Sequence, residues 1–537
     1  MSTNQSMVGF IKEAIDDLNQ IKITFFQNRY NAHEVFYDVS CVGTFLKHHG
    51  VQKGDSVIIC LPNMPQGVVA LYAINSVGAI ANIVHPKIGT KGLMNIVEKT
   101  KTKWIFLFDR FVKKHRKNLL SAGVKIISCR LTDCMMGFNK IMRLIEPNMA
   151  MKSNVVTYNK TLVKPKVYDV EIKGEDVAIY LHSSGTTGEP KTVMLSNYAM
   201  NELAYNLFEY VDKDKDGIGL NKEDGMLMAL PLFHGFGLAV CVHFMMYFGR
   251  IEMIPMFKAK SAVNMIRKSN VTLLTCVPNM LRKMTEVKSF DGKHLQKVRA
   301  IFVGGDKLDD TLRDKMQELF DKNGSKGICV EGFGLSETAS VTHINLPGKK
   351  GGTVGKPMPN VKAKIVDENG NTLKAGEEGN LYISSTSIMY GYLNIKDSGI
   401  EIDENGVKWL KTGDIAYIDE EGFMFYRGRQ KRMLKIGGVN IYPQEVEAVA
   451  KEIKGIENTC AVRIKLPNGK PALKLYVTLS KGVTLDNALQ QKICNEISSH
   501  ILPYATPKII EKLDEFKLTG VGKTDYRYYE ELEKEKV

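Results

Sequence analysis

Between Ser56 and Asp306 the chain repeats one arrangement: a short run of β-branched and aromatic residues, then a stretch with helical spacing. The runs are SVIICLP, KWIFLF, VKIISC, VAIYLHSS, GMLMALPL, VTLLTCVP and RAIFVGGD. Strands separated by helix-length segments cannot pair as tight hairpins. They line up parallel with helices on the sheet faces, which makes the fold class α/β with largely parallel sheets. From Gly352 the texture changes: DENGNT and DEEGF act as hairpin turns near short strands such as NLYISS and FMFYRG, so the sheet there is antiparallel. After Arg429 a compact segment follows, with VRIKL and LKLYVTL as strands and helices near Gln444–Ile453 and Leu489–Ile501. The boundary between the two parts falls close to Gly428. At 537 residues the chain exceeds one ordinary domain, and length alone suggests about three to four domain-sized units.

Hydrophobic residues at 44% and charged residues at 25% match a globular protein and exclude disorder and collagen-like repeats. The net charge of +14 suits a polyanionic partner. Nucleic acid is not indicated, because no RNP, zinc-finger or helix-turn-helix signature accompanies the charge. The one basic run, RFVKKHRK from Arg110 to Lys117, reads as a solvated helix face, with peripheral membrane contact as the alternative. Nine cysteines lie scattered without CxxC spacing, which points to free thiols in a reducing compartment and away from structural zinc. The first residues lack the charged and apolar regions of a secretory signal. The longest apolar stretch, Val68 to Val84, is interrupted by Asn75, Ser76, Gly78 and Asn82, so it reads as a buried helix, turn and strand. A cytoplasmic location is expected, membrane-peripheral at most.

The strongest local signal is YLHSSGTTGEPK, Tyr180 to Lys191, where a buried strand runs into Ser, Thr and Gly. Such a loop can wrap backbone N–H groups and hydroxyls around phosphate oxygens; a flexible Ser/Gly linker is the bland alternative. It misses the Walker A pattern at Pro190, since proline has no N–H to offer a phosphate. A second motif, DKDKDGIGLNKE from Asp212 to Glu223, fits the calcium-loop pattern with acids at positions one, three, five and twelve. Its eighth position is Gly219 where an apolar residue normally pairs loops, and it stands alone, so it is read as a solvated acidic turn.

HSSGTTGEPK is followed by PLFHGFG (Pro231 to Gly237), VGGD (Val303 to Asp306), EGFGLSET (Glu331 to Thr338), TGD (Thr412 to Asp414), GRQKRMLKIGGVNIYPQEVE (Gly428 to Glu447) and TGVGK (Thr519 to Lys523). In order and spacing these resemble the signatures of the adenylate-forming (AMP-binding) superfamily of acyl-CoA synthetases, luciferases and peptide-synthetase adenylation domains. The resemblance implies residues 1–428 as an ATP- and acyl-binding domain of layered α/β subdomains with a small β-barrel-like subdomain. Residues 429–537 would form a small mobile α+β lid, pivoting at Lys431. It implies Mg2+ as cofactor, with ATP and CoA as co-substrates. Lys523, Glu337, His234 and Thr186 would be the catalytic groups, with Glu337 on magnesium and Lys523 bridging the acid and the α-phosphate. The nucleotide would be held by Ser183, Ser184, Gly185, Thr187, Gly188 and Lys191 of the phosphate loop, and by Gly304, Gly305 and Asp306. Glu331, Gly332, Phe333, Gly334, Leu335 and Ser336 would complete its site, with Phe333 and the Gly304–Gly305 backbone around adenine and Glu331 near its amino group. Asp414 would accept the ribose hydroxyls and Arg429 donate to ribose or phosphate. Thr192, Phe333, Ser336 and Val521 depart from the usual residues at their positions.

The same resemblance places Phe233, Phe236, Val277 and Leu335 on the acyl pocket. No carboxylate stands near His234 to pair a substrate ammonium, so fatty acids of medium or long chain are the first choice and aryl acids the second. Lys435, Gly437 and Gly438 would line the pantetheine path; Gly438 is equally suited to a hairpin turn. CoA is the expected acceptor and an acyl carrier protein the alternative. The chain would act as a monomer or homodimer. A rival from another class is a phosphate-binding regulatory protein without catalysis, which retention of Lys523, Glu337 and Asp414 together argues against.

Overall fold

In the computed structural model the described residues are 2–134, 155–182, 191–213, 218–346, 350–436, 439–467, 470–501, 503–519 and 524–534. The seven sequence runs all contain strands, and they sort into two large sheets. An eight-stranded sheet carries Ser56–Cys60, Ile80–Ile83, Trp104–Phe108, Lys125–Cys129 and Val177–His182 in parallel. A nine-stranded sheet carries Gly225–Met228, Leu273–Cys276, Ala300–Gly304 and Ile328–Gly334 in parallel. Antiparallel strands are added toward the edges, beginning at Thr192–Ser196 in the first sheet and at Val341–Asn345 and Asn28–Asn31 on the two sides of the second. The strands are buried on both faces, as sheets covered by helices require.

The region after Gly352 is a five-stranded antiparallel sheet built on Lys408–Ile418, which pairs with three neighbours. This is the form taken by the β-barrel-like subdomain. One turn recurs in it: DENGN, DENGV and DEEGF begin at Asp367, Asp403 and Asp419. In each, the aspartate Oδ1 accepts the N–H four residues on, from Asn371, Val407 and Phe423. The fourth residue is glycine at positive φ, +92° at Gly370, +76° at Gly406 and +84° at Gly422, which a side chain would strain. From Leu434 onward the chain buries a core of its own between the strands Ile456–Lys465 and Pro471–Leu479 and the helices Pro443–Lys451 and Asn487–His500. The Arg110–Lys117 run lies on the helix Asp109–Ser121, with its lysines and Arg110 exposed as expected and with Val112 and His115 buried. Among the described residues no helix is long and apolar enough to cross a membrane.

The PLFHGFG motif opens into a π-helical segment, Phe236–Phe244, apolar except for the buried His243, and continued as the α-helix Met245–Phe248. Its far end is capped from the strand Ile21–Phe25: Lys22 Nζ donates to Gly249 O at 3.2 Å while remaining fully buried. Burial, then the charge of Lys222, brings the Lys22 ammonium down to about 7. Because the folded value lies below that of the unfolded chain, the charged lysine penalises the fold most below pH 7. The penalty fades as pH rises toward the unfolded value of about 10.4. We therefore expect resistance to urea to rise between pH 7 and pH 10, and Lys22→Met to be more stable than the parent at pH 6 by several kcal/mol. Denaturant midpoints measured across that range check this; parallel pH profiles for the two proteins would refute it.

The calcium-like stretch ends as an arginine-bound turn. Ile218 O, the carbonyl that position seven would give a cation, accepts from Arg299 Nη1 at 3.1 Å, and the same guanidinium pairs with the buried Asp224. This supports the reading as a surface turn; residues 214–217 lie outside the described residues.

Candidate active site

The phosphate-loop motif is flanked by two antiparallel strands, Val177–His182 and Thr192–Ser196, with His182 opposite Thr192. Ser183, Ser184, Gly185, Thr186, Thr187 and Gly188 lie outside the described residues, so the site is read from what holds the loop's ends. His182 Nε2 meets Asn82 Oδ1 at 2.7 Å, and His182 Nδ1 meets Thr192 Oγ1 at 3.1 Å. Asn82 spends its amide protons on Ser56 and Thr100, so its oxygen accepts from Nε2–H and Thr192 donates to Nδ1. Burial lowers His182 to about 4, which keeps this neutral tautomer in place. Thr192, a departure from the usual glycine, thus has a local reason: its hydroxyl ties the two loop ends together.

Glu337 follows the strand Ile328–Gly334 in a tightly folded loop. Gly334 is obligatory there, because a Cβ would fall 1.8 Å from Ser340 O. Ala339 has φ +62° and ψ −42°, and Ser340 N donates to Thr338 O at 2.7 Å across it, a γ-turn of the rare, strained hand. Glu337 Oε1 accepts from Tyr392 Oη at 2.8 Å, and Lys191 Nζ stands 4.3 Å from the Tyr392 ring centroid. Among the described residues no group of three or more His, Cys, Asp or Glu forms a metal cluster. A half-exposed carboxylate joined through Tyr392 to Lys191 fits magnesium, which dehydrates reluctantly and is usually held by one or two carboxylates together with substrate phosphates.

Asp414 and Arg429 face each other across antiparallel strands, with Arg429 Nε 3.0 Å from Asp414 Oδ1. Asp414 is 1% exposed, yet neither carboxylate oxygen accepts a hydrogen bond. The Thr412 and Tyr426 hydroxyls stand near enough to favour its charged form without hydrogen-bond alignment. Burial outweighs them and Arg429, and lifts Asp414 to about 6. Arg429 Nη1 also donates to Thr412 O at 2.8 Å. The negative charge of Glu337 acts on both Asp414 and Arg429, so the TGD, GRQK and EGFGLSET motifs converge. Phe333 lies against Tyr426 with ring centroids 5.6 Å apart, and Gly304 sits beside Gly332 in the parallel register. Gly305 takes a positive φ of +82°, and it and Asp306 are exposed.

Glu331, expected near the adenine amino group, is tied into the protein on both oxygens. It is buried, its Oε1 accepts from Leu308 N at 3.0 Å and its Oε2 pairs with Arg313 Nη2 at 3.1 Å. Its oxygens are engaged in holding the 306–313 segment, so contact with an adenine amino group would have to share them.

On the acyl side, Val277 and Leu335 are buried in the main core, and Phe233 and Phe236 pack on it. The Phe236 ring lies against Gly304, whose Cβ would fall 3.0 Å from it. Phe233 meets His85 in a tilted pair with ring centroids 4.3 Å apart, and His234 Nδ1 accepts from Phe236 N at 3.3 Å. No Asp or Glu is among these partners. Lys431 is exposed in the turn Gln430–Arg432, while the adjacent Arg432 is buried against Glu447 at 2.6 Å and over the Tyr526 ring.

Gly437, Gly438, Lys523 and the side chain of Lys435 lie outside the described residues. The chain on either side of 520–523 is pinned by a Leu518–Thr524 bridge and by Asp525 N to Lys517 O at 2.9 Å. Tyr526 is among the groups acting on Arg429, which brings this C-terminal segment to the Asp414–Arg429 pair. Further contacts join the two parts of the chain: Arg427 to Glu445 at 2.7 Å and Thr311 to Glu452 at 2.7 Å. Sequence reasoning missed Tyr392, Tyr426 and the His182–Asn82 pair; the tyrosines had no local signal beyond the GY and FYRG contexts in which they stand.

Residues 13–393 match the family described as AMP-binding enzyme, and residues 445–523 match the AMP-binding enzyme C-terminal domain. The chain is 27% identical over 516 residues to a long-chain-fatty-acid–CoA ligase of Bacillus subtilis, covering 93% of this chain and 90% of that one. It is 28% identical over 495 residues to a 4-coumarate–CoA ligase of Nicotiana tabacum, covering 90% and 85%. Its fold is similar to that of the anthranilate CoA ligase AuaEII in complex with anthranoyl-AMP, at a TM-score of 0.86 and 20% identity over 99% of this chain and 98% of that one. With both family patterns matched in order and the first spanning well over half its length, the chain belongs to the AMP-binding enzyme family.

Proposed function

We propose that this protein is an AMP-forming acid–thiol ligase whose acid is a fatty acid of medium or long chain, with CoA as acceptor and Mg2+ as cofactor. As an AMP-binding enzyme it activates a carboxylic acid with ATP and passes the acyl group to a thiol. The observation that carries the nucleotide half is Asp414, a buried carboxylate paired with Arg429, whose two oxygens suit the two donors of a ribose diol. In the first half-reaction a carboxylate oxygen attacks the α-phosphorus and the bond to the β-phosphate oxygen breaks, releasing pyrophosphate. In the second, the thiol attacks the acyl carbon and AMP leaves with the bonding electrons. Both steps gather negative charge; Lys191 and Arg429 are the cations we assign to offset it throughout, and Lys523 joins them in the first step alone. Magnesium on Glu337 would add Lewis-acid charge stabilisation at the phosphates.

The apolar packing of Phe233, Phe236, Val277 and Leu335 supports an uncharged acyl chain, and the long-chain fatty-acid ligases among the relatives support length. Aryl acids are the second reading, favoured by the coumarate ligase relatives. Carboxylic-acid-dependent release of pyrophosphate from ATP tests both. We expect release with medium- and long-chain fatty acids, less with aryl acids and none with free amino acids, because a buried unpaired ammonium costs several kcal/mol. Release faster with an amino acid than with any fatty or aryl acid would overturn the reading.

A further inference from the structure

Tyr392 has a place in the site that no linear motif announced. It ends the two-residue strand Gly391–Tyr392, which pairs with Thr192–Ser196, the strand leaving the phosphate loop. The neighbouring backbone is bonded to both sides of the site: Leu393 N to Thr192 O at 2.9 Å, Tyr390 N to Met194 O at 2.9 Å, and Met389 N to Glu337 O at 2.8 Å. The side chain repeats that bridge, with its hydroxyl on Glu337 Oε1 at 2.8 Å and the Lys191 ammonium 4.3 Å from the ring centroid.

We propose that Tyr392 is a positioning residue that holds the Glu337 carboxylate and the Lys191 ammonium in one fixed relation, so that the metal and the phosphates of bound ATP are met together. This rests on the reading of Glu337 as the magnesium ligand. A side chain that donates to a metal-ligating carboxylate fixes its rotamer and leaves its other oxygen aimed, and loss of such a partner typically costs about 10- to 100-fold in metal affinity or activity. The aromatic face acts separately, by attracting the ammonium. The two contributions can be divided: Tyr392→Phe removes only the hydroxyl, while Tyr392→Leu also removes the ring.

The test is the titration of Mn2+ into enzyme bound to α,β-methylene-ATP, followed by electron paramagnetic resonance, beside Glu337→Gln as reference. We expect Tyr392→Phe to weaken Mn2+ binding about tenfold and to raise the magnesium needed for adenylation in proportion. Its melting temperature without nucleotide should stay near that of the parent, and conversion of ready-made acyl-AMP to thioester should be unchanged. Tyr392→Leu should in addition raise the KM for ATP. In the double variant with Glu337→Gln the loss should equal that of Glu337→Gln alone, since the hydroxyl acts through that carboxylate. If Mn2+ binding is unmoved in Tyr392→Phe but weakened in Glu337→Gln, Tyr392 is merely structural and the proposal fails while the metal assignment stands. If Glu337→Gln itself leaves Mn2+ binding unmoved, the assignment of Glu337 fails first. Should Tyr392→Phe fold poorly, Tyr392→His, which keeps a ring and a donor, is expected to restore binding to within a few-fold of the parent, and its failure to do so counts against the proposal.

Discussion

Lys523→Ala is expected to slow acyl-adenylate formation about a hundredfold or more, a loss of roughly 2.7 kcal/mol, while leaving the conversion of supplied acyl-AMP to thioester close to normal. The lysine is assigned to the charge that builds between the acid and the α-phosphate, so its contribution is greatest in the transition state of the first step. Gly438→Leu is expected to do the reverse, since a side chain there would obstruct the thiol's path while adenylation proceeds. Two variants failing in opposite halves is what a lid with two working faces requires. The exposed Lys431 beside the anchored Arg432 is the proposed pivot, because a turn with one free and one buried neighbour can rotate without unpacking the core behind it. Single-turnover assays of the separate halves decide the matter. Equal damage to both halves in a folded Gly438→Leu protein, or none from Lys523→Ala, would dismiss the alternating lid and its pivot.

What was legible in the sequence is what is written locally. Strands such as Ile328–Gly334 and hairpins such as the one turning at Asp419 follow from short-range pattern and turn chemistry. The phosphate loop, Glu337, Asp414 and Arg429 were picked out because each sits in a contiguous motif. The partnerships among them were not, since they depend on strand order: Tyr392 reaches Glu337 across 55 residues, and Asn82 reaches His182 across 100. The calcium-like stretch shows the converse error that local pattern invites. All its acids are in register, but a guanidinium from Arg299, 81 residues from Ile218, holds the carbonyl a cation would need. Glu331 shows a third case, a motif residue whose charge is drawn into Arg313 and the Leu308 N–H. Nothing in EGFGLSET distinguishes a carboxylate that faces a ligand from one that braces the next helix.

Asp414→Asn is expected to raise the KM for ATP about a hundredfold, and the reason fixes a pH dependence of ligand binding. Hydrogen bonds to a charged acceptor contribute about 1.5–3 kcal/mol each, and two are at stake if both ribose hydroxyls donate to this side chain. An amide offers a single acceptor and turns its NH2 toward a hydroxyl or toward Arg429. Burial lifts the Asp414 carboxyl to about 6 against the pull of Arg429, so its charged form begins to be lost in mild acid. Binding of adenosine, which carries no phosphate to titrate, should therefore be constant above pH 7 and weaken as pH falls through about 6. The fold responds with the opposite sign. A carboxyl whose folded value is raised binds its proton more readily in the native chain than in the unfolded one, where it titrates near 3.9. This group's contribution to stability therefore falls as pH rises from about 4 to 6 and is level above that. Acid should thus weaken adenosine binding while easing the strain of a buried charge, and Asp414→Asn should abolish the acid limb of binding and lessen the trend in stability, to which Asp38, also lifted to about 6 by burial, contributes. Calorimetric titration of adenosine from pH 5 to 8, with denaturation midpoints over the same range, separates this from a general effect of acid. If the variant keeps the parent's acid limb in adenosine binding, Asp414 is not the group that receives the ribose.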